Sequence, residues 1–159
     1  MPGEVLVLDD EEKLRKLLAR IIALKGFVVT EAGNIKTARK ATEKDEPDVI
    51  LCDVKLPHGN GIDFIREVKR KYPMVEIILL TAYGNIPDGK QAMKNGAFDY
   101  ITKGDDNGKI IPPLNRAMEK AGLQKNWLTC NNRSEKNLVL KASSVVQRLL
   151  KKRLSWQKR

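Results

Sequence analysis

Histidine is nearly missing from this chain and cysteine is scarce, which narrows the chemistry available to it. There is one histidine, His58, and two cysteines, Cys52 and Cys130, in 159 residues. The cysteines lack the spacing of a zinc site or a disulfide framework, so reduced thiols in a cytoplasmic protein are expected. Aromatic residues make up 5% of the chain, and both tryptophans, Trp127 and Trp156, stand in its last third. No aromatic clamp for a flavin is therefore expected beside the loops. No apolar run approaches the roughly 20 residues that cross a bilayer. The opening MPGEVLVLDDEEK has no basic-then-apolar leader, so no membrane association is expected. The HGNG stretch lacks the Gly-Lys-Ser/Thr ending of a phosphate loop.

Acidic residues are missing from one region only. Residues 125–159 hold ten Lys+Arg and a single acid, Glu135, a net of +9. Residues 1–124 hold 20 Lys+Arg and 19 Asp+Glu, a net of +1. The formal charge of +10 thus belongs to a tail, and it is no argument that the body binds nucleic acid.

Short Val- and Ile-rich runs alternate with longer segments of helical period. EVLVL (4–8), FVVTE (27–31), DVILC (48–52), VEIILL (75–80) and FDYIT (98–102) read as strands, most without polar alternation and hence covered on both faces. Helices are expected over 11–25, with Gly26 as stop, over 34–44 with Asn34 as cap, over 60–71, over 86–95 before Gly96, and over 112–123. The alternation implies a flavodoxin-like (βα)5 fold, a doubly wound parallel sheet of strand order 2-1-3-4-5. The domain is expected to span 1–124, with 125–159 as a helical basic tail.

In such a sheet the sites lie beyond the carboxyl ends of the strands. Those ends carry Asp9 and Asp10 (first strand), Asp53 (third), Thr81 (fourth) and Lys103 (fifth). Taken singly, Asp10 before EEKLRKLL reads as a helix cap, Thr81 as a strand-end residue and Lys103 as a solvated lysine. Their joint arrival on one rim points to a site. Three carboxylates so close repel one another unless a cation intervenes, and an all-oxygen set with room for water suits Mg²⁺. Asp53 can then act as a nucleophile toward phosphorus, with Lys103 neutralising charge and Thr81 donating a hydrogen bond.

The pieces VLVLDDE, PDVILCDVKLPHGNGIDFI, IILLTAYG and GAFDYITK resemble the receiver domain of bacterial two-component response regulators, the CheY-like fold, over about residues 4–121. The resemblance implies that Asp53 is the phosphoacceptor, fed by a sensor histidine kinase, and that the domain is a switch and not an enzyme. It implies an Mg²⁺ pocket of Asp9, Asp10, Asp53 and the backbone carbonyl of Lys55. It makes Thr81 and Tyr100 a switch pair and Lys103 the phosphate contact. The surface of the fourth helix, fifth strand and fifth helix would change partners, with a homodimer as one outcome. Pro57 and Gly61 fit the loop after the phosphoacceptor. His58 and Tyr83 read as loop residues, and Cys52 as core on the face opposite Asp53. One departure stands out: Gly104 follows the lysine where the family has a cis proline, so a trans Lys103–Gly104 bond is expected. A haloacid-dehalogenase-type phosphatase wants a second acid two residues after its nucleophile, and Lys55 holds that place.

The start is most similar to the receivers of NtrC-type transcription activators, yet neither a Walker motif nor a helix-turn-helix follows. The tail places Leu138, Ala142, Val145 and Leu149 at helical spacing, with Ser134 as a cap. With permitted codons, a one-base shift over 138–158 spells GFESIIGCAKAIEKALELAEK, which is similar to the opening of the NtrC-type ATPase domain. The tail thus reads as a helical extension or as a truncated or frameshifted linker remnant, touching nucleic acid weakly or indirectly. The alternatives are a stand-alone phosphorelay regulator and DNA binding through the tail.

Overall fold

The structure is a computed structural model that describes residues 2–82, 86–104 and 107–156. Its elements run β1 (Glu4–Leu8), α1 (Glu12–Leu24), β2 (Val28–Ala32), α2 (Ile35–Asp45), β3 (Val49–Asp53), β4 (Lys55–Leu56), β5 (Gly59–Asn60), α3 (Gly61–Lys71), β6 (Glu76–Thr81), α4 (Ile86–Lys94), β7 (Asp99–Thr102), a 3-10 turn (Asn107–Ile110) and α5 (Ile111–Trp156). The main sheet is parallel, in the order β2-β1-β3-β6-β7. Counting only its five strands, that is 2-1-3-4-5, the order expected from the alternation. The sequence reading passed over β4 and β5, a two-residue antiparallel pair closed by Pro57 and His58. Pairs this short carry no periodic signal.

Strand alternation sorts the core into two layers. Leu6, Leu8, Ile50, Cys52, Ile77 and Leu79 pack with Ala38 of α2, Phe64 and Ile65 of α3 and Ala92 of α4. Val5, Val7, Val49, Leu51, Ile78 and Leu80 pack with Leu18 and Ile22 of α1 and Leu114 and Ala117 of α5. The strands bury both faces, which is why they read as unbroken apolar runs. Left-handed backbone at Gly26 (φ 90°) and Gly96 (φ 98°) follows α1 and α4, a conformation that glycine adopts without a Cβ penalty. Asn34 caps α2 by accepting the Thr37 N–H at 2.8 Å.

Three expectations need correction. Asp10 does not cap α1, because the helix is entered through Glu11, whose side chain makes no capping bond. The last helix does not stop at 123, because α5 runs through Gly122 and on to Trp156. Ser134 is therefore a helix-interior position. One glycine costs about 1 kcal/mol in a helix interior, too little to end a segment of otherwise good helix formers. The chain divides into two compact units, up to Gly122 and from Leu123 onward. Among the described residues no helix is long and apolar enough to cross a membrane. No cis peptide bond occurs among them either, so Lys103–Gly104 is trans as expected.

Candidate functional site

The sheet register fixes the first three groups. Leu8 stands beside Cys52 in the β1–β3 pair, so Asp9 and Asp53, one residue on, emerge next to each other. Both continue the strand face that carries Val5 and Val7, or Val49 and Leu51, toward α1 and α5. The carboxylates of Asp9, Asp10 and Asp53 lie within 4.8 Å of one another. Asp9 is fully buried, Asp53 is 5% exposed and Asp10 is open to solvent. The Asp9 carboxylate is steadied by the Glu11 N–H at 2.9 Å, and Asp53 accepts the Lys55 N–H at 3.2 Å.

Lys103 arrives from the end of β7, two strands along the sheet from β3. The β6–β7 register pairs Thr81 with Thr102, and the Lys103 N–H donates to the Thr81 carbonyl at 2.6 Å. The side chain continues the Ile101 face, the one that holds Asp53. Its ammonium donates to Asp53 Oδ2 at 2.8 Å and lies 2.6 Å from Asp9 Oδ2. The structure thus brings Asp9, Asp10, Asp53 and Lys103 into one cluster.

Burial and pairing pull the titrations in opposite directions here. Burial pushes the Asp53 carboxyl above its ordinary value, and the Asp9 charge adds to this, against the opposing pull of Lys103 and the Lys55 N–H. Burial by itself lowers Lys103, but Asp53 and Asp9 together outweigh it and hold the ammonium above its ordinary value. The lysine is charged at neutral pH and partly neutralises the acids. The Cys52 thiol, buried on the opposite face, is pushed far up by desolvation and by the nearby carboxylates, which leaves it an inert core group.

The remaining sequence candidates are placed by the strand registers and by the loops. Thr81 is buried at the end of β6, tied to Lys103 through its backbone. By register Thr81 and Tyr100 share the α3–α4 face, since Leu79 pairs with Tyr100 and Thr81 with Thr102. Tyr100 is 39% exposed, and its ring lies against Gly89 of α4, where a Cβ would stand 3.1 Å from the ring carbons. Lys55 follows Asp53 closely and opens β4. His58 is exposed and lines a groove of about 440 Å³ between α2 and α3, with Asn34, Arg39, Asp63 and Glu67. That groove does not include the acidic cluster. Tyr83 lies outside the described residues.

Sequence reasoning matched Gly61 to a loop without seeing why it is needed. A Cβ there would collide with the Asp53 carbonyl oxygen and press on Cys52 Sγ at 3.1 Å. The Gly61 N–H also donates to the Val54 carbonyl at 3.0 Å, so the start of α3 lies directly against the end of β3. Arg15 was missed altogether. It sits about one turn into the region read as an ordinary amphipathic helix, yet its guanidinium donates to the Asp9 carbonyl at 2.8 Å.

The donor set fits a small hard cation. All three side chains offer carboxylate oxygen, Asp10 leaves one side open to water, and Asp9 Oδ2 is buried without a hydrogen bond of good alignment among the described residues.

The description "Response regulator receiver domain" matches residues 5–115. Response regulator protein PilR of Pseudomonas aeruginosa is 34% identical over 107 residues, covering 67% of this chain and 24% of PilR. NtrX from Brucella abortus, solved in complex with ADP, superposes with a TM-score of 0.74 at 27% identity, over 79% of this chain and 29% of that one. The beryllofluoride-activated NtrC4 receiver domain dimer gives 0.70 at 29% identity, over 74% of this chain and 98% of that one. The chain spans about a quarter of the length of PilR. The receiver description accounts for well over half of its residues, and the chain belongs to the response regulator receiver domain family.

Proposed function

We propose that the domain accepts a phosphoryl group on Asp53 from the phosphohistidine of a sensor histidine kinase in the cytoplasm, and that it acts as a switch and not as an enzyme. A carboxylate oxygen of Asp53 attacks phosphorus in line, the phosphorus–imidazole bond breaks, and an aspartyl phosphate forms. Lys103 sits where it meets the charge of the transferred oxygens, and Thr81 supplies a hydroxyl to them. Asp9, Asp10, Asp53 and the Lys55 carbonyl would hold Mg²⁺, which supplies further positive charge when bound.

Thr81 and Tyr100 share a sheet face, which supports the switch pair: Thr81 drawn toward the phosphoryl group leaves space for the Tyr100 ring to turn inward, a population shift. The surface of α4, β7 and α5 then changes partners. The beryllofluoride-activated NtrC4 receiver domain is a dimer, which supports a homodimer of this domain through that surface. In a longer protein the output would be transcription, as in NtrC-type regulators.

One observation carries this reading: the Lys103 ammonium lies 2.8 Å from Asp53 and 2.6 Å from Asp9, at the ends of neighbouring strands. The test is intact-mass measurement after incubation with Mg²⁺ and a small acyl phosphate. One phosphoryl adduct is expected, absent from Asp53→Asn and weakened by Lys103→Ala. An adduct that survives Asp53→Asn removes Asp53 as the acceptor.

A further inference from the structure

We propose that Arg15 is a positioning residue for the acidic pocket, holding the peptide between Asp9 and Asp10 so that both carboxylates face the divalent-ion position. The inference rests on the reading of that pocket given above.

Its basis is the accounting of hydrogen bonds around Asp9. The Asp9 N–H donates to the Ala32 carbonyl at 3.2 Å, and Asp9 Oδ1 accepts the Glu11 N–H at 2.9 Å. The Asp9 carbonyl accepts from Arg15 Nη1 at 2.8 Å. That carbonyl belongs to the peptide joining Asp9 to Asp10, and its direction sets the orientation of the backbone on either side. Asp9 is buried and held by neighbours. Asp10 is exposed, so its carboxylate goes where the backbone carries it. A swing of the Asp9–Asp10 peptide would therefore move Asp10 first and open the ligand set.

Arg15 is itself braced for this task. Its side chain is 16% exposed, and Nε pairs with Glu31 Oε2 of β2 at 3.3 Å. The planar fork lets Nε meet the carboxylate while Nη1 meets the carbonyl, an arrangement that a lysine cannot copy. Gly33 leaves the room: a Cβ there would stand 3.1 Å from Nη1 and 3.7 Å from Cζ. Arg15 of α1 thus links the Asp9 carbonyl to Glu31 of β2, with Gly33 leaving room for its guanidinium. Groups that orient metal ligands in this way typically govern affinity by about 10- to 100-fold.

The test is Mg²⁺ titration by calorimetry on the full chain, with melting in EDTA as a control for folding. Arg15→Ala is expected to weaken Mg²⁺ binding by about 10-fold or more. Gly33→Val keeps the charge but crowds the guanidinium, and is expected to weaken binding in the same direction. Glu31→Gln loosens the brace on Arg15 but keeps an acceptor oxygen for Nε, and should weaken affinity by less than Arg15→Ala does. Phosphoryl uptake by Arg15→Ala should return to the wild-type level at saturating Mg²⁺. Unchanged affinity in both Arg15→Ala and Gly33→Val overturns the inference while leaving the phosphoacceptor reading intact. A loss of uptake that saturating Mg²⁺ does not restore makes Arg15 merely structural and also overturns it. A wild-type protein that binds no Mg²⁺ removes the pocket reading itself.

Discussion

Asp53 is a carboxylate in a place where burial outweighs pairing, and this has a consequence for stability. Its raised pKa means that the folded protein holds the proton more tightly than the unfolded chain does. Stability therefore falls as pH rises from the ordinary value of 3.8 through the higher folded value, and stays lowered above it. Asp53→Asn removes that penalty. In EDTA at pH 7 it should melt above wild type, by a margin on the order of 1 kcal/mol. The gain should fade as pH drops below about 4, where wild-type Asp53 is also neutral. Thermal melts across this range check it, and a lower melting point at pH 7 would show that Lys103 outweighs desolvation. At this scale the sequence made the strand-end groups legible, because a carboxylate after VILC or a lysine after DYIT breaks an apolar run at a known place on the sheet. Gly61 and Arg15 were not legible in physical terms. Their roles depend on the Asp53 and Asp9 backbone oxygens coming close in space, and no spacing rule encodes that.

The five strands of the main sheet and the first four helices were readable to within a residue or two because their apolar periods are clean, while the joints between layers were not. Glu76 opens β6 within the run VEIILL, and although it is an acid it is 1% exposed. Lys69 of α3 lies 3.3 Å from its carboxylate and Lys120 of α5 lies 3.1 Å from it, one from each layer. A buried acid clasped from both sides pins the two helical layers to the end of the sheet opposite the acidic cluster. Glu76→Gln keeps the shape but leaves two ammonium groups facing a neutral amide. It should cost about 2 kcal/mol in denaturant unfolding, since hydrogen bonds to charged groups are the stronger kind. A change within experimental error would mean that the lysines swing to water at no cost. Gly122 carries the opposite expectation. It lies inside α5, and a Cβ there meets nothing within 4 Å. Gly122→Ala should raise stability by about 0.5–1 kcal/mol and increase the helical circular dichroism. A loss instead would place a break at the position where the sequence reading expected one.

Across the whole molecule, charge and site separate cleanly along the chain. Every group assigned to phosphoryl acceptance falls within residues 1–103, and the body to residue 124 is nearly neutral, at +1. The +9 of residues 125–159 belongs wholly to the unit that starts at Leu123, in which Trp127, Val145, Val146 and Leu149 are exposed. Polyanion binding scales with the number of phosphates that lysines and arginines neutralise, and it weakens steeply with salt. The intact chain should therefore be retained on a polyanion column and released by moderate salt, without preference among DNA sequences. Deleting 125–159 should abolish retention. It should leave the phosphoryl adduct on Asp53 at the level of the intact chain, because the acceptor, its lysine and the acidic cluster all lie in the first unit. The two readouts must part company. If retention survives the deletion, the neutral body binds polyanions through a local basic surface and the whole-tail account of the charge fails. If the adduct disappears along with the tail, the first unit depends on the second for its fold, and the division after Gly122 is not an energetic boundary.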